Sequence, residues 1–232
     1  NLRRDIWAAL LQVANWNADR QSRAQERELL QRLRIEIIQN IASAQEKSRF
    51  FDKVYASAER TYAFLGGDAP CASGCWQGVV DAFYASQWRD LRPSRYTFDE
   101  MERLGLPRDT RLKLALTNYY GLYDSMVTIT SQLPEFRTMV RSSIPPRTQL
   151  QLWRTCHRIE GMKEVLVADC PAAMSERESR ELMEQLRADR TLRPVLANWM
   201  STVALVRPAL GQLLEGAQAV LVSLDSELGA RP

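Results

Sequence analysis

The four cysteines are the residues of this chain whose type and spacing are best suited to chemistry. Their positions favour two bridges, Cys71 with Cys75 and Cys156 with Cys170, although four cysteines allow three connectivities. Disulfides persist in oxidising compartments and are rare in reducing ones. The cysteines therefore predict loops stapled by disulfides in an extracytoplasmic protein.

Two other uses of the cysteines fit less well. A zinc site could combine Cys156 with His157, but structural zinc ligands come in close pairs and the gap to Cys170 is wide. Cys71 and Cys75 enclose three residues, whereas a redox motif normally encloses two. We predict no metal, and a thiol oxidoreductase in which His157 lowers the pKa of a thiol stays as the alternative.

No other catalytic pattern is present in the sequence. His157 is the only histidine, and no Gly-x-Ser-x-Gly elbow accompanies it. Gly66-Gly67 is not followed by the Lys and Ser or Thr of a phosphate loop. The acidic residues Asp99, Glu100 and Glu102 open a predicted helix, where negative charge already favours the helix dipole. The sequence predicts a protein without enzymatic activity and without a cofactor.

Aromatic and basic side chains give one candidate ligand pocket between helices. Aromatic residues at helical spacing line ligand sites in bundles, but they more often form the core. Arg137 and Arg141, one turn apart, could grip an anion or pair with acids such as Glu135 and Glu160. The candidate pocket consists of Tyr119, Tyr120, Tyr123, Arg137 and Trp153.

The elements that position these residues are helices. From Leu2 to Leu65 the sequence contains neither Gly nor Pro, and apolar residues recur at steps of three and four. A helix of this length would extend about 90 Å, so its start should protrude. We predict an all-α helical bundle with a very long N-terminal helix, divided into a membrane-proximal stalk over residues 1–28 and a bundle domain over residues 29–232.

Capping motifs, glycines and prolines divide the chain into about six or seven predicted helices. Thr97 with Glu100 and Ser175 with Glu178 match capping boxes, which predict helix starts. The expected helices after the first span about 76–91, 97–105, 108–141 with a break at Pro134, 147–159, 175–190 and 193–228 with a kink near Pro208.

Charge and hydropathy limit the possible partners. The net charge is +3, and residues 1–66 hold all of the excess, with 11 Lys and Arg against 8 Asp and Glu. Binding to nucleic acid requires many clustered cations, so we predict no nucleic-acid partner. No segment reaches the roughly 18 apolar residues of a membrane span. A basic start would instead suit anionic lipid headgroups.

One segment resembles a broad group of uncharacterised bacterial single-pass inner-membrane proteins. The resemblance rests on the run Leu11-Gln12-Val13-Ala14-Asn15-Trp16-Asn17 and on the Arg- and Glu-rich helix after it. A looser echo lies at Tyr119-Tyr120, Pro134, Arg137, Arg141, Ile144-Pro145, Trp153 and Cys156. In those proteins the run closes a transmembrane helix, whereas this chain has Arg3, Arg4 and Asp5 there.

The resemblance implies location and topology, since the group has no established activity. It implies a domain facing the periplasm, attached to the inner membrane by the N-terminal helix or by an anchor removed upstream. Trp16 agrees, because tryptophan prefers the membrane interface. We expect a non-catalytic module for sensing or protein interaction, with a small ligand or a protein as its partner and a homodimer as its simplest assembly. A cytoplasmic helical adaptor remains a further alternative.

Overall fold

The computed structural model describes residues 2–67, 71, 73–131, 133–161 and 163–229, without the side chains of residues 2–6, 8–11 and 129. These parts of the chain form eight helices and one antiparallel hairpin of two short strands. The prediction of an all-α bundle with disulfide-stapled loops is confirmed.

The elements follow one another along the chain in this order: α1 (Leu2–Gly66), α2 (Cys75–Ala85), α3 (Tyr96–Arg103), α4 (Thr110–Thr130), α5 (Glu135–Ser143), α6 (Pro146–Thr155), β1 (His157–Glu160), β2 (Lys163–Leu166), α7 (Glu176–Ala188) and α8 (Leu192–Gly229).

Helix α1 is the single very long helix that its uninterrupted sequence predicts. Its side chains are exposed from Gln12 to Gln21, and buried ones recur from Glu26 onward. The helix ends at Gly66, and Gly67 donates a backbone hydrogen bond back to Phe64. Asp68 and Pro70, the other residues of the expected terminator, lie outside the described part of the chain.

The chain forms two compact units, and each of the three long helices contributes to both. Unit 1 comprises residues 1–42, 93–122 and 214–232. Its core is built on the apolar stripe of α1, which α3, α4 and the end of α8 supplement. The buried side chains include Leu30, Leu33, Ile37, Phe98, Met101, Leu112, Leu116, Tyr119, Tyr120, Val220 and Leu224.

Unit 2 comprises residues 43–92 and 123–213, and it contains both cysteine pairs. Helix α2 is its centre, because eight of its eleven residues are buried and it packs against α5 and α7. The core also includes Phe51, Val54, Phe136, Val140, Leu152, Leu182, Met183, Leu196 and Val203.

Helix α2 ends at Ala85, earlier than the predicted end near Leu91. Its last carbonyl groups are taken by donors from other helices: Trp199 Nε1 donates to Ala85 O at 2.8 Å and Arg137 Nη1 donates to Ser86 O at 3.0 Å. These donors satisfy carbonyls that a longer helix would have bonded itself. The predicted extension to Leu91 was therefore wrong.

The predicted helix over 147–159 was wrong in its last part. Helix α6 ends at Thr155, and the chain turns into a hairpin in which His157 pairs with Leu166. Gly161 supplies the left-handed backbone of the turn, with φ of 64°. The Cys156–Cys170 bridge and a hydrogen bond from Val167 N to Cys156 O close the base. His157 thus lies on a strand rather than on a helix.

The two predicted capping boxes had opposite outcomes. Ser175 caps α7, and its hydroxyl and the Glu178 carboxylate exchange hydrogen bonds with each other's backbone N–H. Thr97 lies inside α3, and its backbone N–H donates instead to Glu36 Oε2 at 2.9 Å. The Thr97–Glu100 box was therefore wrong, because a carboxylate from α1 satisfies the donor.

The break predicted at Pro134 is confirmed. Pro134 separates α4 from α5 and stands as the N-cap residue of α5. Pro208 lies within α8, which continues past it to Gly229.

Candidate functional site

Arg137 and Arg141 form the most unusual charged group of unit 2. They lie one turn apart on the same face of α5, while the neighbouring Phe136 and Val140 are buried in the core. Because α5 packs against α2, both arginines face the end of α2. Arg137 Nη1 donates to Ser86 O, and Arg141 Nε donates to Ser86 Oγ at 2.9 Å.

The Arg141 guanidinium lies against two aromatic rings. Its Cζ is 3.8 Å from the ring centroid of Phe83 and 4.8 Å from that of Trp153. Such cation–π contacts stabilise a charge that is partly withdrawn from water. Its Nη2 is nevertheless buried with no hydrogen-bond partner among the described residues. The guanidinium is therefore held in place but not fully satisfied.

The described residues place no carboxylate in an ion pair with either arginine. Burial and, to a smaller extent, the charge of Arg137 together lower the pKa of Arg141 to about 9. Burial also lowers the pKa of Arg137, although the Glu164 carboxylate opposes this effect. Two like charges are thus partly withdrawn from water without a direct counter-ion, an arrangement that costs stability.

The nearby carboxylates are already engaged elsewhere. Glu46 pairs with Arg89, and Glu164 lies 3.5 Å from the same guanidinium. Glu164 Oε2 is also 3.1 Å from His157 Nε2. The hydrogen bond from His157, together with Arg89, keeps the pKa of Glu164 below its ordinary value despite burial. These two carboxylates are therefore engaged with Arg89 and His157, and neither forms an ion pair with Arg141.

His157 connects this network to the aromatic side of the arginine pair. Its ring meets Trp153 edge to face at 4.8 Å between centroids, and Trp153 meets Phe83 at 5.3 Å. A groove of about 200 Å³ opens beside Glu46 and Glu164. Its basic lining residues are Arg49, Lys53 and Lys163. Aromatic faces and cations therefore dominate this part of unit 2.

The five residues of the predicted pocket fall in both units. Tyr119 and Tyr120 belong to unit 1, whereas Tyr123, Arg137 and Trp153 belong to unit 2. Within unit 1 the two tyrosine rings meet edge to face at 4.9 Å. Tyr123 is buried in unit 2, with 2% of its surface exposed.

Tyr120 belongs to a buried network that sequence reasoning missed. Glu36 accepts hydrogen bonds from Tyr120 Oη at 3.0 Å, from Thr97 N and from Ser94 Oγ at 3.3 Å. Burial and the Glu36 charge raise the pKa of Tyr120. Asn40 holds the backbone of Ser94 through both its donor and its acceptor. The carboxylate is well satisfied, so this network is structural rather than a ligand site.

Both predicted disulfides are present, and they account for all four cysteines. The Cα atoms are 5.6 Å apart in Cys71–Cys75 and 5.0 Å apart in Cys156–Cys170. One cysteine of each bridge, Cys75 and Cys156, is completely buried. Thiol–disulfide exchange requires access to a sulfur, and this burial favours a structural role.

The bridges anchor loops onto α2. Tyr84 Oη lies 2.6 Å from Cys156 O and 2.5 Å from Val167 O, and Trp76 Nε1 donates to Cys170 O at 3.3 Å. Burial raises the pKa of Tyr84 to about 12. The hairpin and its disulfide are thereby held beside Trp153 and the arginine pair.

Metal-ligand geometry is absent from the described residues, in which no group of three or more His, Cys, Asp or Glu side chains converges. The predicted acidic opening of α3 forms ion pairs instead: Asp99 with Arg95 at 2.7 Å and Glu100 with Arg32 at 2.9 Å.

Within the described residues no helix is long and apolar enough to cross a bilayer.

No protein-family model, curated protein or solved structure matches this chain.

Proposed function

We propose that this protein is a non-catalytic sensing or interaction module on the periplasmic side of a bacterial inner membrane. The two disulfides of unit 2 carry the proposal, because such bridges persist in oxidising compartments. The module presents a helical bundle to the periplasm and recognises a small ligand or a protein there.

The exposed start of α1 supports the membrane side of the proposal. Trp16 is 61% exposed, and the Arg20 guanidinium lies 5.5 Å from its ring centroid. A tryptophan beside arginines suits the boundary between headgroups and water. The resemblance to single-pass membrane proteins over residues 11–17 points the same way.

The proposal is tested in cells that produce the protein from its complete gene. Cells are treated with a thiol-reactive polymer before and after reduction, and the mass shift counts free thiols. We expect Cys71, Cys75, Cys156 and Cys170 to be unmodified before reduction and modified after it, with the protein in the inner-membrane fraction and digestible by protease once the outer membrane is opened. Four free thiols without reductant would show a reducing compartment and refute the proposal.

A matched pair of variants tests the role of Trp16. Trp16→Ser should weaken binding to vesicles that contain anionic lipid, because an interfacial aromatic anchor is lost. Tyr96→Ser is the control, because Tyr96 is also exposed, at 83%, but lies on α3. Equal effects of the two substitutions on vesicle binding would show that α1 does not make the membrane contact.

A further inference from the structure

The unsatisfied charge of α5 identifies the class of ligand that unit 2 can take. Arg137 and Arg141 carry two positive charges on one face, and no described carboxylate forms an ion pair with either, although Glu164 acts on Arg137 from a longer distance. A buried cation without a counter-ion is costly, so its retention needs a compensating role. A bound anion would provide both the missing charge and the missing hydrogen-bond acceptor.

We propose that Arg137 and Arg141 together bind a small, doubly charged oxyanion, such as phosphate, beside the ring of Trp153. Two guanidinium groups match the charge of a dianion and offer planar pairs of N–H donors to its oxygens. This inference rests on the sensing role proposed above and names the chemistry that is sensed.

The surroundings of the pair favour an anion over other ligands. Phe83 and Trp153 withdraw Arg141 from water, and charge-assisted hydrogen bonds are stronger where water is excluded. Ser86 accepts a hydrogen bond from each guanidinium group, so little side-chain freedom is lost on binding. Arg137, Arg141 and Trp153 each keep part of their surface in solvent, where an anion can approach, and the buried Nη2 of Arg141 has to become exposed there to bind it.

The basic groove beside Glu46 and Glu164 is a weaker candidate. Its cations Arg49, Lys53 and Lys163 are exposed, so water and salt screen their attraction for an anion. Lys53 Nζ also donates to Leu166 O at 3.2 Å. This groove provides control positions of the same charge within the same unit.

The test is calorimetric titration of the whole protein with inorganic phosphate at pH 8, where phosphate is mainly a dianion. Acetate and chloride at matched ionic strength are titrated in parallel. We expect saturable binding of one phosphate per chain, at least about tenfold tighter than the binding of acetate. Phosphate can make one charge-assisted hydrogen bond more than acetate, and one such bond is enough for a tenfold difference in affinity. Quenching or shift of Trp153 fluorescence, absent in Trp153→Phe, should accompany it.

Variants locate the site. Arg141→Gln and Arg137→Gln should each weaken phosphate binding at least about tenfold, and Arg141→Lys should restore only part of it because the planar fork is lost. Arg49→Gln and Lys163→Gln should leave binding unchanged. Melting curves without phosphate confirm that each variant folds.

Two results would overturn the proposal: no saturable phosphate binding by the folded wild-type protein, or binding that is lost in Arg49→Gln or Lys163→Gln and kept in Arg141→Gln. Failure here leaves the compartment assignment intact, because thiol counting in cells tests that separately. Conversely, phosphate binding by a protein with four free thiols in cells would keep the anion site and refute the periplasmic role.

Discussion

At the scale of single residues, two charged side chains that are withdrawn from water differ in how fully their polar atoms are hydrogen-bonded. Glu36 is 6% exposed and accepts hydrogen bonds from Tyr120, Thr97 and Ser94. Arg141 is stacked on aromatic rings but has a buried Nη2 that no described acceptor meets. A buried charge with all of its hydrogen bonds made helps to specify a fold. A buried charge with an unpaired donor lowers stability until a ligand supplies the missing acceptor.

Replacing Glu36 should be strongly destabilising. In Glu36→Leu the N–H of Thr97 loses its acceptor inside the core and the hydroxyl of Tyr120 keeps only its longer contact to Ser94 O at 3.3 Å, so we expect a loss of about 3 kcal/mol in unfolding free energy. Urea unfolding measures it. Glu28→Leu, at an exposed position of the same helix, is the control and should change stability by less than about 0.5 kcal/mol. Equal losses would contradict a special role for the Glu36 network.

Replacing Arg141 should not destabilise the protein in the absence of anions. Arg141→Met keeps the apolar stem and removes the unpaired cation, and Ser86 Oγ keeps its own donation to Phe83 O at 2.7 Å. We expect an unchanged or slightly raised Tm in phosphate-free buffer, measured by calorimetry beside Arg154→Met at an exposed position of α6. A fall of more than about 4 °C, roughly 1 to 2 kcal/mol at this chain length, would show that the cation–π contacts outweigh the cost of burial.

At the scale of elements, some helix ends are fixed by residues close in sequence and others by residues of another helix. The start of α7 depends only on residues close in sequence, because Ser175 and Glu178 satisfy each other's backbone donors. The start of α3 depends on Glu36, 61 residues away from Thr97. A sequence motif therefore predicted the first end and misled at the second.

Removing the α7 cap should cost about 1 kcal/mol in Ser175→Ala, because a helix donor loses its acceptor. Hydrogen bonds from Ser175 keep the pKa of Glu178 below its ordinary value of 4.5. The folded pKa is the lower one, so this contact stabilises the protein above pH 4.5 and is lost as pH falls through the lowered pKa. The difference between Ser175→Ala and wild type should therefore shrink in thermal melts at pH 3.

Ser201→Ala is the control for that substitution, since Ser201 is exposed within α8 and its hydroxyl donates to the carbonyl of Ala197 in the preceding turn. We expect its unfolding free energy to equal that of the wild type at both pH values. A pH-independent cost of Ser175→Ala would contradict the contribution of the Glu178 carboxylate, and no cost at either pH would contradict the capping account.

At the scale of the whole molecule, covalent stabilisation is confined to unit 2. Both bridges lie there, and unit 1 contains no cysteine. Unit 1 instead relies on the apolar stripe of α1 and on the Glu36 network.

Loss of the longer bridge should be the more damaging. Cys156→Ala with Cys170→Ala opens a loop of sequence separation 14, and chain entropy predicts a loss of about 3 kcal/mol. Cys71→Ala with Cys75→Ala opens a separation of 4, for which the same relation gives about 2 kcal/mol. Urea unfolding of the two double variants tests the order, and the reverse order would show that packing around the bridges dominates loop entropy.

The sequence alone determined the features that depend on neighbouring residues. The uninterrupted pattern of α1, the break at Pro134 and the α7 cap were predictable, because helix propensity, proline geometry and capping act over a few residues. The spacing of the cysteines favoured the observed pairing but did not fix it, since four cysteines allow three connectivities.

Tertiary structure alone decided the rest. The end of α2, the Glu36 network and the hydrogen bond of Arg141 to Ser86 depend on partners tens of residues distant in sequence. The hairpin at His157 pairs residues that are close in sequence, but Tyr84, 72 residues before Cys156, holds its base. Sequence patterns record which residues are apolar or charged, but which donor meets which acceptor is fixed only when the helices pack. The candidate anion site therefore existed in the sequence only as two arginines one turn apart, and packing against Phe83, Ser86 and Trp153 made it distinctive.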